Sequence, residues 1–268
     1  MMPFRFGCQT YTWEMLGHRW KGTPDEILDT VAETGYQGVE FSNAMIGCYG
    51  RHPAAFREAL AARGLDCAAF AYARTGFTDP TRWEEDLEGA VEALRFCVAV
   101  DALLCLGGPA APSRDHYETD FAQAVRFYNE VALRGADLGV TVCVHPHSHH
   151  GSLVESAEEY ARLLESTASS GLMFNPDAGH IARSGQDVCA CFRAHRDRIA
   201  HVHIKDADHQ GNWQPLGQGT IPWADLFALL GETRYTGWIV AEEESELAWR
   251  DGVAAVKANR EYLQRLLG

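Results

Sequence analysis

Short apolar runs alternate with amphipathic stretches from one end of this chain to the other, and that alternation constrains the fold more than any other feature. The strand-like runs cover 4–11, 38–42, 65–72, 102–108, 141–147, 172–177, 199–206 and 238–244. Helix-like segments lie between and after them, near 24–35, 52–63, 81–99, 119–138, 156–168, 187–195, 222–231 and 249–267. Strict alternation needs crossover helices and therefore parallel strands. Eight such units in 268 residues close best as one α/β domain over 1–268, a (β/α)8 TIM barrel. The rival, an open doubly wound sheet, usually carries a glycine-rich phosphate loop after its first strand. Here that strand runs into Gln9-Thr10-Tyr11-Thr12-Trp13, which has no such loop.

Local signals agree with the helix positions. Thr23 precedes Pro24, Asp25 and Glu26, a cap residue followed by a first-turn proline and acids. Ser156 and Glu159 have capping-box spacing. Gly35, Gly64 and Gly139 follow three helical patterns just before a strand, where C-terminal glycines stand. No low-complexity tract or long linker divides the chain.

Net charge is −14, with 37 acidic against 23 basic residues. Binding to nucleic-acid backbones depends on Lys and Arg neutralising phosphates, so nucleic acid is excluded as the expected partner. Four of the eight cysteines (Cys8, Cys67, Cys105, Cys143) fall in strand-like runs, where a thiol serves as a small hydrophobe, and no CxxC pair occurs. There is no signal-like segment at Met1 and no apolar stretch of about 18 residues. These features predict a reduced, cytoplasmic enzyme without a membrane partner; a homo-oligomer is compatible with them.

In a barrel of this kind the C-terminal strand ends surround the open mouth, where active sites sit. Four consecutive strand ends are rich in chemistry-bearing groups. The fifth reads Val144-His145-Pro146-His147, with Glu155 at the next helix start; the sixth reads Asn175-Pro176-Asp177-Ala178-Gly179-His180. The seventh reads His201-Val202-His203-Ile204-Lys205-Asp206, and the eighth ends Ala241-Glu242-Glu243-Glu244. Oxygen and imidazole ligands converging from several elements are what a divalent cation requires. Alternation puts His201, His203 and Lys205 on one face and turns Glu243 away from Glu242, toward the surface or a helix. His149, His150 and His209 read as loop histidines, and His52, His116 and His195 as solvent-facing. Trp13, Phe41, Phe70, Tyr72 and Trp213 stand near strand ends, where an aromatic ring can pack on a sugar or belong to the core.

These motifs, with Gly7–Trp13, Gly38-Val39-Glu40, Gly217-Gln218-Gly219 and Gly237–Glu242, resemble the xylose isomerase-like barrels, the sugar phosphate isomerases/epimerases. The resemblance spans essentially the whole chain, and the HPH and HxHxKD forms are most similar to the branch that contains inosose dehydratase. It implies one divalent cation, Mn2+ first, with Mg2+, Co2+, Zn2+ or Fe2+ also fitting. Position by position it implies metal ligation by Asp177, His203 and Glu242. The family's fourth ligand, a Glu at the fifth strand end, is replaced here by His145. Either His145 ligates, or Glu155 takes the place; Glu155 is preferred, because a third carboxylate suits a hard cation. His145 and His147 are then free for acid–base work or substrate contacts.

The family reading implies an isomerase or epimerase acting on a keto-sugar or cyclitol ketone, through loss of an alpha proton to an enediolate held on the cation. Glu242, His145 or Glu155 is the expected base, and His180 and Lys205 the groups that hold the oxyanion or protonate a leaving group. His147, Trp13 and Glu40 are the expected substrate contacts. Loss of a beta substituent would instead give a dehydratase or keto-glycoside lyase. Ketohexose 3-epimerases carry an Arg six residues past the metal His; His209 stands there, which weighs against that activity. The family's DNA-repair relatives use three zinc ions and a longer ligand list, which this chain lacks. A sugar-binding barrel without catalysis and a subunit of a two-component enzyme are the readings from other classes.

Overall fold

The computed structural model describes residues 4–149 and 151–268. Its strands are β1 Arg5–Gln9, β2 Gly38–Ser42, β3 Asp66–Tyr72, β4 Leu103–Gly107, β5 Val142–His145, β6 Met173–Phe174, β7 Val202–Ile204, β8 Asp206–Ala207, β9 Trp213–Gln214 and β10 Trp238–Ala241. Eight of them form one sheet in the order β6-β5-β4-β3-β2-β1-β10-β7, and every pairing in it is parallel. Parallel bridges Phe174–Ile199 and Asp177–His203 join the two end strands, so the sheet closes on itself. The expected TIM barrel is the fold.

Each strand presents alternate residues to two different cores. Phe41, Leu104, Val144 and Ile204 face outward into the main apolar layer beneath the helices, where Phe41 meets Phe56 edge-on at 5.4 Å. Ala68, Trp238 and Val240 form a separate small cluster, and Ala69, Cys105 and Cys143 another. The small residues leave room for one indole: a side chain at Gly38 would come within 2.7 Å of the Trp238 ring. The polar residues Glu40, His201 and His203 are buried with them, which is unusual for a barrel interior and marks where chemistry is housed.

Helix starts follow the chemistry of the sequence. Thr23 Oγ1 accepts the Glu26 amide, Pro24 holds the first turn of Pro24–Glu33, and Ser156 with Glu159 forms the capping box of Ala157–Ser166. Strand ends differ from the hydrophobic pattern. The first run stops at Gln9 because residues Tyr11–Glu14 turn into a short helix, and the sixth stops at Phe174 before the helix Ala178–Arg183. Both helices are too short to show a period. The expected end of the seventh run becomes an antiparallel hairpin of β8 and β9, and the last helix divides into Glu246–Arg250 and Gly252–Leu267. All eight cysteines are free thiols. No described helix is long and apolar enough to cross a membrane.

Candidate metal centre and active site

Four buried side chains converge at the barrel mouth: His145 from the end of β5, Asp177 after β6, His203 from β7 and Glu242 after β10. One donor atom from each lies within 4.8 Å of the other three. Local structure fixes Asp177 first. Its Oδ1 accepts the His180 amide at 2.8 Å and so caps the helix Ala178–Arg183, which leaves Oδ2 directed at the axis. That helix can begin there because residue 179 is glycine; a side chain on it would meet the Lys205 carbonyl at 2.7 Å.

Asp177 Oδ2 and His145 Nε2 are 3.5 Å apart, buried, and have no hydrogen-bond partner among the described residues. Orphaned buried polar atoms cost about 1–3 kcal/mol each. A cation coordinated by both atoms, together with His203 and Glu242, removes that cost. The donor set of two imidazoles and two carboxylates suits a first-row divalent metal. The residues present therefore fit the group that the sequence led us to expect.

Glu155 is not brought to this cluster. Its carboxylate is bound to the His149 amide and lies 3.2 Å from His149 Nδ1 at the rim. The position preferred for Glu155 on charge grounds is occupied geometrically by His145.

Glu40 and His201 lie behind His203 and hold its ring in place. Glu40 Oε2 meets His201 Nε2 at 2.6 Å and His203 Nε2 at 2.9 Å. Burial alone would raise the Glu40 carboxyl, but the two imidazoles hold it well below the usual carboxylate range. Burial likewise opposes charge on His203, yet Glu40 and Glu242 push its pKa up to about 10.

Lys205 is 1 % exposed and has four polar neighbours. Its ammonium donates to Glu242 Oε1 at 3.0 Å and to Glu244, stands 3.2 Å from His180 Nε2, and lies 4.0 Å from Asp177 Oδ2. Desolvation is outweighed by these carboxylates, which keep the lysine charged. Glu242 is held well below its ordinary value, with Lys205 and His203 overcoming the effect of burial. Glu244 moves the other way, to about 7, because burial and Glu242 outweigh Lys205. His180 Nδ1 accepts the Ser148 amide at 3.0 Å; burial and Lys205 keep the ring neutral.

A cavity of about 270 Å³ opens above the cluster. His145, His147, His180, His203, Glu40 and Glu242 line it, as do Trp213, Arg183, Glu14 and Glu244. Burial, followed by the neighbouring His145, lowers His147 to about 3, so it faces the cavity as neutral imidazole. Trp13 does not line the cavity: the Tyr11–Glu14 helix turns its indole into the apolar core, where it is 5 % exposed. Trp213, carried over the mouth by the β8–β9 hairpin, lines the cavity instead, together with Tyr11 and Tyr72. Asp206 anchors that loop by accepting from Gly217 N (2.8 Å), Gly219 N (3.1 Å) and Trp223 Nε1 (2.9 Å). A side chain at Gly219 would strike the Asp206 carboxylate.

The remaining expectations divide. Glu243 turns from the mouth and accepts from Asn259 Nδ2 at 2.7 Å on the last helix. His52, His116, His149 and His209 are exposed, whereas His195 is half-buried against Phe174; His150 lies outside the described residues. Sequence reasoning overlooked Arg183, Glu14 and Glu244. Only Glu244 carried a signal, two positions along the strand face from Glu242.

Known proteins resemble this chain in sequence or in fold. An inosose dehydratase of Geobacillus kaustophilus (strain HTA426) is 28% identical, over 99% of this chain and 95% of its own. The rhizopine catabolism protein MocC of Rhizobium meliloti is 27% identical, over 90% of this chain and 81% of its own. Among solved structures, the probable 3-DHS dehydratase AsbF of Bacillus anthracis superposes with a TM-score of 0.80 at 16% identity, over 97% and 99% of the two chains. D-psicose 3-epimerase of Clostridium cellulolyticum H10 gives 0.79 at 15%, over 98% of each chain; at such identities the likeness is one of fold. The family profile described as xylose isomerase-like TIM barrel matches residues 28–266. With most of its length matched and its sheet closed as that fold requires, the chain belongs to the xylose isomerase-like TIM barrel family.

Proposed function

We propose that this chain is an enzyme that removes the proton alpha to the carbonyl of a keto-sugar or cyclitol ketone and then expels a beta hydroxyl, a dehydratase reaction. His145, Asp177, His203 and Glu242 hold the divalent cation. The observation that carries the reading is the double engagement of Glu242. One oxygen is 2.9 Å from His203 Nδ1 in the metal cluster, and the other is 3.0 Å from the Lys205 ammonium.

When bound, a divalent cation supplies Lewis-acid polarisation of the ketone oxygen. Glu242, ionised and at the edge of the cluster, takes the alpha proton. Lys205 is within one hydrogen bond of that base and gives a proton to the departing hydroxyl, so that water leaves and charge balances. His180 is neutral and accepts the Ser148 amide at Nδ1, so its Nε2 carries the hydrogen and, 3.2 Å from Lys205, can donate to the amine once the lysine has given up its proton. Trp213, edge-on to His180 at 5.1 Å, covers the reacting groups from water. The curated relatives named inosose dehydratase support elimination as the outcome.

One observation favours a second outcome, isomerisation or epimerisation. His147 donates and accepts no hydrogen bond among the described residues and faces the cavity from a strand three places around the ring from that of Glu242. A neutral imidazole there could return a proton from another side. Incubation of the metal-loaded protein in D2O with keto-sugars and inososes, followed by NMR, tests both outcomes. Alpha-proton exchange accompanied by a dehydrated product is expected, and both should vanish in Glu242→Gln. Exchange that persists in that variant removes Glu242 from the role of base, and rearranged products without dehydration replace the first outcome with the second.

A further inference from the structure

Arg183 ends the helix Ala178–Arg183, three residues and about 4.5 Å of rise beyond His180. Its guanidinium carbon is 4.7 Å from the centre of the Trp213 ring, and both residues line the cavity. The hairpin turn also packs on its stem, since a side chain at Gly211 would come within 3.3 Å of Arg183 Cγ. The arginine is thus held by its face and its stem, while its N–H edges meet no acceptor among the described residues. Among the described residues no carboxylate lies within 4.0 Å of it and it donates no hydrogen bond. The nearby Lys205, by contrast, is engaged by Glu242 and Glu244. An arginine without an acid at the mouth of a pocket is notable in a chain where acids outnumber bases 37 to 23.

A guanidinium stacked on an aromatic ring keeps its in-plane donors free for a carboxylate or phosphate. The other acids of the cavity come from other elements, Glu14 from the short helix after β1 and Glu244 from the chain after β10, where it is engaged by Lys205. Arg183 is the cavity's cation without an acidic partner among the described residues, so an anionic ligand is drawn with its charged end on Arg183 and its other end over His145 and His203. We propose that Arg183, positioned by Trp213, is an anion subsite, and that the substrate is a ketone of the sugar or cyclitol class bearing a carboxylate or phosphate remote from its carbonyl. The location of the carbonyl end rests on the function proposed above; the subsite itself does not.

Calorimetric titration of the Mn2+-loaded protein with fructose, fructose 6-phosphate and 5-keto-D-gluconate tests this. Both anions should bind about tenfold or more tightly than fructose, the usual scale for a charge-assisted hydrogen bond. Arg183→Gln should abolish the advantage and leave fructose within about twofold of its original affinity. Arg183→Lys, which keeps the charge without the stacked fork, should lose part of it. The anion with the larger loss identifies the natural group. Equal binding of charged and neutral ketoses overturns the subsite, and so does an advantage that survives in Arg183→Gln, which would place the anion on the cation. Alpha-proton exchange on all three ketoses with equal affinity would remove the subsite alone. An anion preference lost in Arg183→Gln, in a protein that exchanges no proton, would remove the proposed chemistry alone.

Discussion

Glu40 Oε2 lies 2.9 Å from His203 Nε2, and this contact between β2 and β7 determines which ring nitrogen of His203 is left for a cation. A carboxylate can only accept, so Nε2 carries the hydrogen and Nδ1, 2.9 Å from Glu242, faces the cluster. Glu40→Gln weakens that orientation. Divalent-metal affinity should fall about 10–100-fold, the usual effect of losing such a partner. Calorimetry with Mn2+ measures it, and an affinity within about twofold of the original would mean that Glu40 has no part in setting the ligand.

Metal binding should release a proton. In the metal-free chain His203 is raised to about 10 by Glu40 and Glu242, against its burial, and its imidazolium must deprotonate before Nδ1 can ligate. Affinity should therefore rise about tenfold per pH unit from neutrality and level off near pH 10. The sign for stability is the opposite. A raised folded pKa stabilises the metal-free protein fully below the unfolded value of 6.5, and this is lost as pH rises toward about 10. Titrations in buffers of different ionisation enthalpy count the protons; release of none contradicts the charged histidine.

Lys205→Met leaves buried Glu242 and half-buried Glu244 as neighbouring carboxylates without their cation. Breaking a buried ion pair from one side costs about 3–5 kcal/mol, and urea denaturation of the metal-free variant should show a loss of that size. If Lys205 is the acid for the departing hydroxyl, elimination should fall further than alpha-proton exchange. Equal losses in the two rates would leave it only a positioning role.

Asp206→Ala removes the acceptor of the Gly217, Gly219 and Trp223 donors. Stranding them should cost about 3 kcal/mol and free the loop that carries Trp213. Limited proteolysis should cut between residues 208 and 220 faster than in the parent protein. An unchanged cleavage rate would show that the loop is held by its packing.

Much of this architecture is legible in the sequence because a parallel barrel is written in two independent ways, apolar strand runs and polar strand ends. Asp177, His203 and Glu242 stand at the ends of three strands that are neighbours around the ring, so a closed sheet brings them together. The fourth position is not legible locally. His145 and Glu155 are both near the mouth in sequence, and charge arguments prefer the carboxylate. The chain direction after β5 decides otherwise, since it leaves Glu155 against His149. Trp13 and Arg183 fail for a shared reason. Each sits on a helix of six residues or fewer, where no period reports which way a side chain points.

The cluster itself is tested most directly by elemental analysis of the purified protein and two variants. One divalent cation per chain is expected in the parent protein and in Glu155→Ala, and its loss in His145→Ala. Retention of the cation in His145→Ala together with its loss in Glu155→Ala would contradict the ligand set from which the proposed function is built.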